Sequence, residues 1–468
     1  MMAVILLAAR RFAGFLVGCG MTHIIQKGSH PAVEAAKQRM PRPVRALGLD
    51  DLERWAAEAG ADDVGVVSLD HPDLAEERAP VLEAFPAAKT LVSIVVRMHP
   101  ENVRSPSRSV ANQDFHRAGE TVDAVAWALV RKLSEAGHRA MNPAMAFPME
   151  MDDFPGRTWV VSHKRVAMAA GLGLQGLHRN VIHPRFGSFV VLGTVLTTAD
   201  IAGRKPVVDV NPCVDCKLCV AACPVGAIEP DGGFRFSACL DHNYREFMTG
   251  FGDLLEEVAE AKDRHALRDK VSISESASMW QSLAYKPNYK AAHCIAVCPA
   301  GDEVLTPFVT DRPGFLKEVV RPLTERREPV YVVAGSDAEA HVQKRFPHKP
   351  VRRVRSSLRA TSAPGFFRAM PLVFQRGPAR GWRATFHFEL TDDAKVVHRA
   401  TARIDDGTLT VNPSAHDGVP DVVVRGEAQA WLDVVSGKSN PVWLVVRRRL
   451  RLEGDRSLLE RFAKCFPR

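Results

Sequence analysis

The chain has 468 residues, a formal net charge of +8, 46% apolar residues and 25% charged ones. That length exceeds one typical core and calls for roughly two to four domains. Its composition excludes a disordered chain, and nine cysteines in this length exclude a disulfide scaffold.

The opening MMAVILLAARRFAGFLVGCG carries an apolar run broken by Arg10 and Arg11. It is too short and too charged for the ~18 apolar residues of a membrane span. RRFAGFLVGC has the outline of an export signal ending in a lipoprotein-type Leu-Val-Gly-Cys, with Cys19 last. Met21 opens an ordinary polar segment and is the better start. Residues 1–44 are thus an N-terminal extension and the expected location is cytoplasmic. An exported lipoprotein is the alternative if residues 1–19 are a genuine signal.

From 45 to 205 the pattern is α/β, a cofactor-type layer with helices covering a sheet. LDDLERWAAEAG predicts a helix stopped at Gly60, ADDVGVVSL and KTLVSIVVRM predict strands, and ETVDAVAWALVRKLSEAGH predicts an amphipathic helix ending at Gly137. GSFVVLGTVLTT predicts a further strand leading to the cysteines. Residues 206–310 form a ferredoxin-like module interrupted by an insert at 240–290, in which DLLEEVAEAKDRHALRDKV is helical by periodicity. Residues 311–381 connect. Within them EPVYVVAGSDAEAHVQKRF predicts a strand, a turn and a helix capped by Ser336, and 347–381 reads as linker or irregular packing. From 382 to 468, TFHFELT alternates Phe386, Phe388 and Leu390, and TARIDDGTLTV predicts a hairpin at Asp406-Gly407. A strand and helix in DVVVRGEAQAWLDVVSG, the basic VRRRLRL and a last helix complete a small α+β domain. The fold class is α+β multidomain.

The chemistry lies in NPCVDCKLCVAACPVGAI. Cys213, Cys216, Cys219 and Cys223, closed by Pro224, make the C-x2-C-x2-C-x3-C-P run of iron–sulfur proteins, in which the fourth cysteine serves the other cluster. Cys298, followed by Pro299, is the natural fourth ligand for Cys213, Cys216 and Cys219. Cys223, Cys239 and Cys294 then hold a second cluster. That set is one thiolate short, since the position three before Cys294 is Ala291. The second cluster is therefore three-iron, or open at one iron, or ligated by a residue such as His242 or His293. A structural zinc site is the bland alternative. Hydrolase motifs are absent: there is no G-x-S-x-G, no H-E-x-x-H and no P-loop.

VAMAAGLGLQGLHRNVIHPRFGSFVVLGTVLTT (166–198), the cysteine run behind it and NQDFH (112–116) together resemble epoxyqueuosine reductases and the related corrinoid reductive dehalogenases, over about residues 45–310. The resemblance implies an iron–sulfur reductase passing electrons through two 4Fe-4S-type clusters to a substrate or corrinoid in the N-terminal domain. It implies a cobalamin pocket bordered by Gly171, Gly173, Gly176 and Asn180, with Asp114 and His116 as catalytic candidates. Two departures stand out. The acid that the family places ahead of the glycine run is missing from TWVVSHKRVAM, leaving Asp152 and Asp153 as substitutes. The second cluster also lacks its fourth cysteine. The scaffold carries over; the substrate does not.

Residues 382–468 resemble the sterol-carrier-protein fold through RGEAQAWLDVVSGKSNPVW and the basic strand before the last helix. That implies an apolar small-molecule or lipid ligand, with Trp431, Leu432, Val435 and Trp443 lining it; an ordinary small core is the alternative. The expected partner is an electron donor such as ferredoxin or flavodoxin, with no clear nucleic-acid or membrane partner. The competing function is a non-catalytic electron-transfer or redox-sensing protein with a lipid-binding C-terminal domain. A lipid-binding adaptor with structural clusters is the third.

Overall fold

The computed structural model describes residues 30–38, 43–152, 154–455 and 457–467. The apolar opening, Cys19 and Asp153 lie outside them. A short helix, Pro31–Lys37, belongs to a unit ending at Val44, and everything from Arg45 onward forms a second compact unit.

That second unit begins with helix α1 (Leu49–Ala59), which buries Leu52, Trp55 and Ala56 and ends on left-handed Gly60. Strands β1 (Asp63–Ser68) and β2 (Thr90–Arg97) follow, then the 28-residue helix α2 (Arg108–Glu135), β3 (Ala140–Met141), α3 (His163–Ala169) and β4 (Val190–Thr197). The sheet order is β1-β2-β4-β3, antiparallel throughout, with Val66 opposite Val92 and Val92 opposite Val195. β2 is a continuous apolar run because both of its faces are covered. Val92 and Ile94 face α1 and α2, whereas Leu91 and Val95 face a second layer containing Val166 and Leu172.

The first of these cores does not stop at the sheet. It runs on through Leu218, Ala222, Ala296 and Val297, on the helices α4 (Leu218–Ala222) and α9 (His293–Ala296) that carry cysteines. The cysteine module is therefore built onto the same apolar mass as the sheet. A backbone contact locks the two together. Gly187 sits at φ +67° and Gly301 at φ +113°, and a Cβ on either would drive into the backbone of the other's loop, Ala300 O in one case and Gly187 N in the other. Only glycine permits that approach.

Between α4 and α9 come α5 (Phe236–Asn243) and the insert helices α6 (Gly250–Glu260), α7 (Arg264–Lys270) and α8 (Ile273–Ala284). The single helix expected for 253–271 is broken at Asp263, whose side chain caps α7 by accepting from His265 N and Ala266 N. Next are β5 (Val330–Val333), α10 (Asp337–Arg345) capped by Ser336, and β6 (Val351–Val354), which pairs parallel with β5. So 347–381 is not a linker. Its first part is a strand, and its second part, α11 (Ala363–Val373), places Phe366, Phe367 and Met370 in the C-terminal core. The apolar spacing of PGFFRAM outweighs the Pro- and Arg-rich composition that suggested irregularity.

The C-terminal sheet has β7 (Arg383–Thr391), β8 (Val397–Asp405), β9 (Thr408–Asn412), β10 (Val422–Glu427) and β11 (Leu450–Gly454), in the order β9-β8-β7-β10-β11. Phe386, Phe388 and Leu390 alternate into its covered face, and Asp406 and Gly407, both at positive φ, make the tight hairpin. Helices α12 (Ala428–Val435), α13 (Pro441–Val446) and α14 (Ser457–Lys464) complete the domain. No helix among the described residues is long and apolar enough to cross a membrane.

Gly187→Ala should cost about 3 kcal/mol, the upper end for one substitution, because the new methyl would drive into the Ala300 backbone, which cannot swing aside as a side chain can. Gly252→Ala, in exposed α6 with nothing near its would-be Cβ, should instead gain about 0.5–1 kcal/mol. Urea unfolding of the two variants beside the parent measures both.

Candidate metal centre

The cysteine loop is shaped by its backbone. Asp215 and Lys217 take left-handed conformations, so the chain curls before α4 and turns successive thiols to one side. The side chains of Cys213, Cys216, Cys219 and Cys298 line one cavity, with Leu177 and His178 on its wall. Cys223, Cys239 and Cys294 form the other group. They are delivered by the end of α4, by α5 and by α9; Cys239 feels the charge of Cys223, and Cys294 feels both. Cys219 feels Cys294 as well as its own group, so the two sets adjoin. Among the described residues no three His, Cys, Asp or Glu side chains converge on a single metal ion. The first four thiols instead surround a space.

Burial pushes the thiol of Cys298 up to about 11 and that of Cys239 up to about 12. Cys216, Cys219, Cys223 and Cys294 are also raised, again chiefly by burial, and neighbouring thiols add to it for all of these except Cys223. Protons leave such a cluster of thiols only if cationic metal replaces them. The donor set thus fits iron–sulfur ligation. The surroundings fit as well. The Cys223 sulfur accepts from Ala227 N–H at 3.2 Å, and the amides of Val225, Gly226 and Ile228 also face it. Two cations that the sequence reading missed stand beside the thiols. Arg104 lies by Cys298, stacked over Phe189 and Phe315, and Lys164 lies by Cys239 and Cys294. No spacing rule points to either, since both come from the α/β domain.

His242 needs correcting as a ligand. Its Nδ1 accepts from Tyr331 N–H at 3.3 Å, so the ring hydrogen sits on Nε2, and no lone pair remains there for iron. That Nε2 is buried without a partner. The His293 nitrogens are engaged too, Nδ1 near Ala222 O at 3.4 Å and Nε2 near Glu328 at 3.6 Å. His178 repeats the His242 pattern at the first cavity: Nδ1 accepts from Asn180 N–H at 3.1 Å and Nε2 is buried and unpartnered. Burial holds both rings neutral, His178 at about 4 and His242 at about 3.

Ala291 occupies the place of the missing cysteine and is firmly held. Its N–H donates to Asn243 Oδ1 at 2.8 Å and its carbonyl accepts from Arg108 Nη1 at 2.8 Å.

The glycines proposed to border a corrinoid are packed, on the side a Cβ would occupy, by the protein's own chain. A Cβ at Gly171 would meet Pro206 O at 2.6 Å, at Gly173 it would enter Ile182 O, and at Gly176 the Ile182 side chain. These glycines admit the protein's own chain, the tight-connection alternative to a pocket. Asn180 Oδ1 accepts from Lys164 Nζ at 2.8 Å. The catalytic candidates are likewise engaged within the fold. Asp114 accepts from His99 N–H at 2.8 Å and Asn102 Nδ2 at 3.0 Å, which fixes the turn before α2. His116 Nε2 donates to Pro287 O at 2.7 Å, and Phe115 packs on Tyr289. Asp152 is exposed, and Asp153 lies outside the described residues. Residues 287–289, the end of the insert, cover the NQDFH face of α2, with Tyr289 N–H donating to Asn112 Oδ1 at 2.8 Å. In the C-terminal domain Trp431 and Leu432 are core residues and Val435 is half-buried against them, whereas Trp443 faces outward and lines no interior.

Residues 206–229 match the 4Fe-4S binding domain family, and residues 375–467 match the SCP-2 sterol transfer family. Epoxyqueuosine reductases of Staphylococcus aureus and Bacillus cereus are 27% and 26% identical over 180 and 183 residues. Those stretches are 36% of this chain and 43% and 44% of the relatives, so less than half of either relative is spanned. The Gloeobacter violaceus epoxyqueuosine reductase is 42% identical over 86 residues, 18% of this chain and 26% of its own. Among solved structures, epoxyqueuosine reductase from Streptococcus thermophilus has a TM-score of 0.30 at 19% identity, covering 58% of this chain and 74% of that one. Sterol Carrier Protein 2 from Yarrowia lipolytica has a TM-score of 0.15 at 20% identity, covering 17% and 67%.

Cys216→Ala should remove about half of the iron bound after anaerobic reconstitution, and Cys239→Ala the other half, as each cuboidal cluster holds about four irons. Iron and acid-labile sulfide assays on both variants read this directly.

Proposed function

We propose that the chain is an iron–sulfur oxidoreductase that holds two cuboidal clusters and moves electrons between them toward an acceptor at the N-terminal domain. The observation that carries this reading is the crossed delivery of thiols. Cys298 joins Cys213, Cys216 and Cys219, Cys223 joins Cys239 and Cys294, and Cys219 lies within electrostatic reach of both groups. Clusters bound there supply one-electron transfer. This chain's residues set the conditions. The cysteines give up their protons to metal, the core around Leu218 and Ala296 excludes water, and Arg104 and Lys164 oppose the added negative charge. His178 offers a neutral Nε2–H donor in the first cavity, His242 carries one a helical turn from Cys239, and the four amides around Cys223 favour the reduced state. No step is routed through a corrinoid, because Gly171, Gly173 and Gly176 pack against the chain itself on their Cβ sides.

The relatives are named for epoxyqueuosine, but the acid ahead of their glycine run has no counterpart here, so the substrate is left outside this proposal. That same gap favours a second reading, an electron carrier or redox sensor, since Asp114 is consumed in fixing a turn. A ferredoxin- or flavodoxin-type protein is the proposed donor for either reading. An apolar ligand for the C-terminal domain is proposed on its match to the sterol transfer family.

Anaerobically purified protein should contain about seven to eight irons per chain, with acid-labile sulfide to match. One zinc and no sulfide would end the reading. Ala291→Cys, at the vacant fourth corner, should convert a three-iron electron paramagnetic resonance signal, or one from an open-iron cluster, into that of a fully cysteine-ligated cluster. His242→Ala should leave iron content unchanged and lower the second cluster's potential, read by spectroelectrochemical titration. A loss of iron in that variant would instead make the ring a ligand.

A further inference from the structure

The basic run VRRRLRL has no part in the redox reading, yet the structure gives it a conspicuous setting. It begins at the last residue of α13, which Asn440 caps by accepting from Val442 N–H at 2.9 Å. Leu444 anchors α13 to the core, while Val442, Trp443 and Val446 are 66%, 63% and 66% exposed. At 100° per residue these three share the side of the helix away from Leu444. An ordered helix therefore presents a tryptophan and two valines to solvent.

The charges beside this stripe are as unusual as the stripe. Arg447, Arg448 and Arg451 are exposed and form no ion pair among the described residues, and Arg448 is turned outward in a left-handed conformation at φ +59°. Their neighbours behave differently. Arg449 pairs with Glu427 at 2.7 Å, and Arg425 pairs with Glu389 and Glu453, each at 2.8 Å. Lys438, just before the cap, is exposed too. Strand register adds a second element at this end of the sheet. Thr391 pairs with Val397 and with Glu427, and Gly426 pairs with Leu450, so the β7–β8 hairpin tip lies at the same end as the α13–β11 turn. That tip carries Lys395 and the exposed Val396 and Val397, beside Asp392, which holds His398 at 2.8 Å, and the exposed Asp393.

We propose that this end of the C-terminal domain, α13 and the turn after it together with the β7–β8 tip, docks the protein on an anionic lipid surface. Tryptophan is favoured at the water–lipid boundary, where the ring has both apolar and polar surroundings. Valines at its side sink a shallow apolar face, and arginines at its rim take lipid phosphates in forked hydrogen bonds. An exposed apolar tip suits a fluid surface, which conforms to it. A second copy of the chain is a poor occupant, because two such ends face to face would set six unpaired arginines against one another. The proposal stands apart from the redox reading and survives its failure.

Sedimentation of the full chain with vesicles tests it. The protein should bind vesicles of phosphatidylcholine mixed with phosphatidylglycerol and leave phosphatidylcholine alone largely unbound. Each interfacial cation contributes about fivefold to such binding, so the double variant Arg447→Glu/Arg448→Glu should lose tenfold or more. Trp443→Ser should lose a comparable factor. Val419→Ser, an 89% exposed valine ahead of β10 at the opposite end of the sheet, should bind as the parent does. All the substituted side chains are exposed, and matching thermal midpoints would show the fold intact. Absence of binding by the parent, unchanged binding by either the tryptophan or the arginine variant, or a parent dimer that the variants dissolve would each overturn the proposal.

Discussion

Seven thiols gathered within reach of one another, some of them fully out of water, define the electrostatic problem this fold has to solve. As neutral thiols they are tolerated; as bare thiolates they would repel strongly in surroundings of low dielectric. Metal is the term that makes the arrangement favourable, and the protein supplies the smaller corrections. Arg104 reaches the first group and Lys164 the second, both from the α/β domain, and the Cys223 sulfur rests among the amides of its own turn. The sheet domain is thus an electrostatic counterpart of the cysteine module as well as its support. Its helix packing continues into α4 and α9 without a boundary.

The second group has its own cover. β5 and α10 lay Val330, Val332 and Val342 against Cys223 and its neighbours, Val351 of β6 packs against the same cluster, and His341 Nε2 contacts Cys223 O at 3.2 Å. A segment whose composition suggests a connector therefore forms the roof over one cysteine group. Glu328, just before β5, holds Lys349 at 3.2 Å and ties that roof to its own far end.

Much of this was legible in the sequence, and the reasons for success and failure differ by scale. The cysteine pairing follows from spacing, because a tight turn and a distant return are the local and the global half of one requirement. Strands such as KTLVSIVVRM and TFHFELT were visible because burial on two faces or one leaves a continuous or an alternating pattern. Gly171, Gly173 and Gly176 were recognised as sites of close approach, but sequence does not say whether ligand or backbone approaches, and here it is Pro206 and Ile182. His242 sits at ligand spacing from Cys239, yet its tautomer is dictated by Tyr331, a residue 89 positions away. Arg104 and Lys164 carry no motif at all. Trp443 was read as an interior residue because hydrophobicity alone gives no direction to a six-residue helix.

The segment from Pro287 to Tyr289 has one more consequence. It is stapled to Asn112, Phe115 and His116 by hydrogen bonds and ring contact, so the flank of α2 is a closed door rather than a mouth. A molecule bound for that flank must wait for the staple to release. Once such a molecule is abundant, the release of these contacts, and not its own diffusion, would set how fast it arrives.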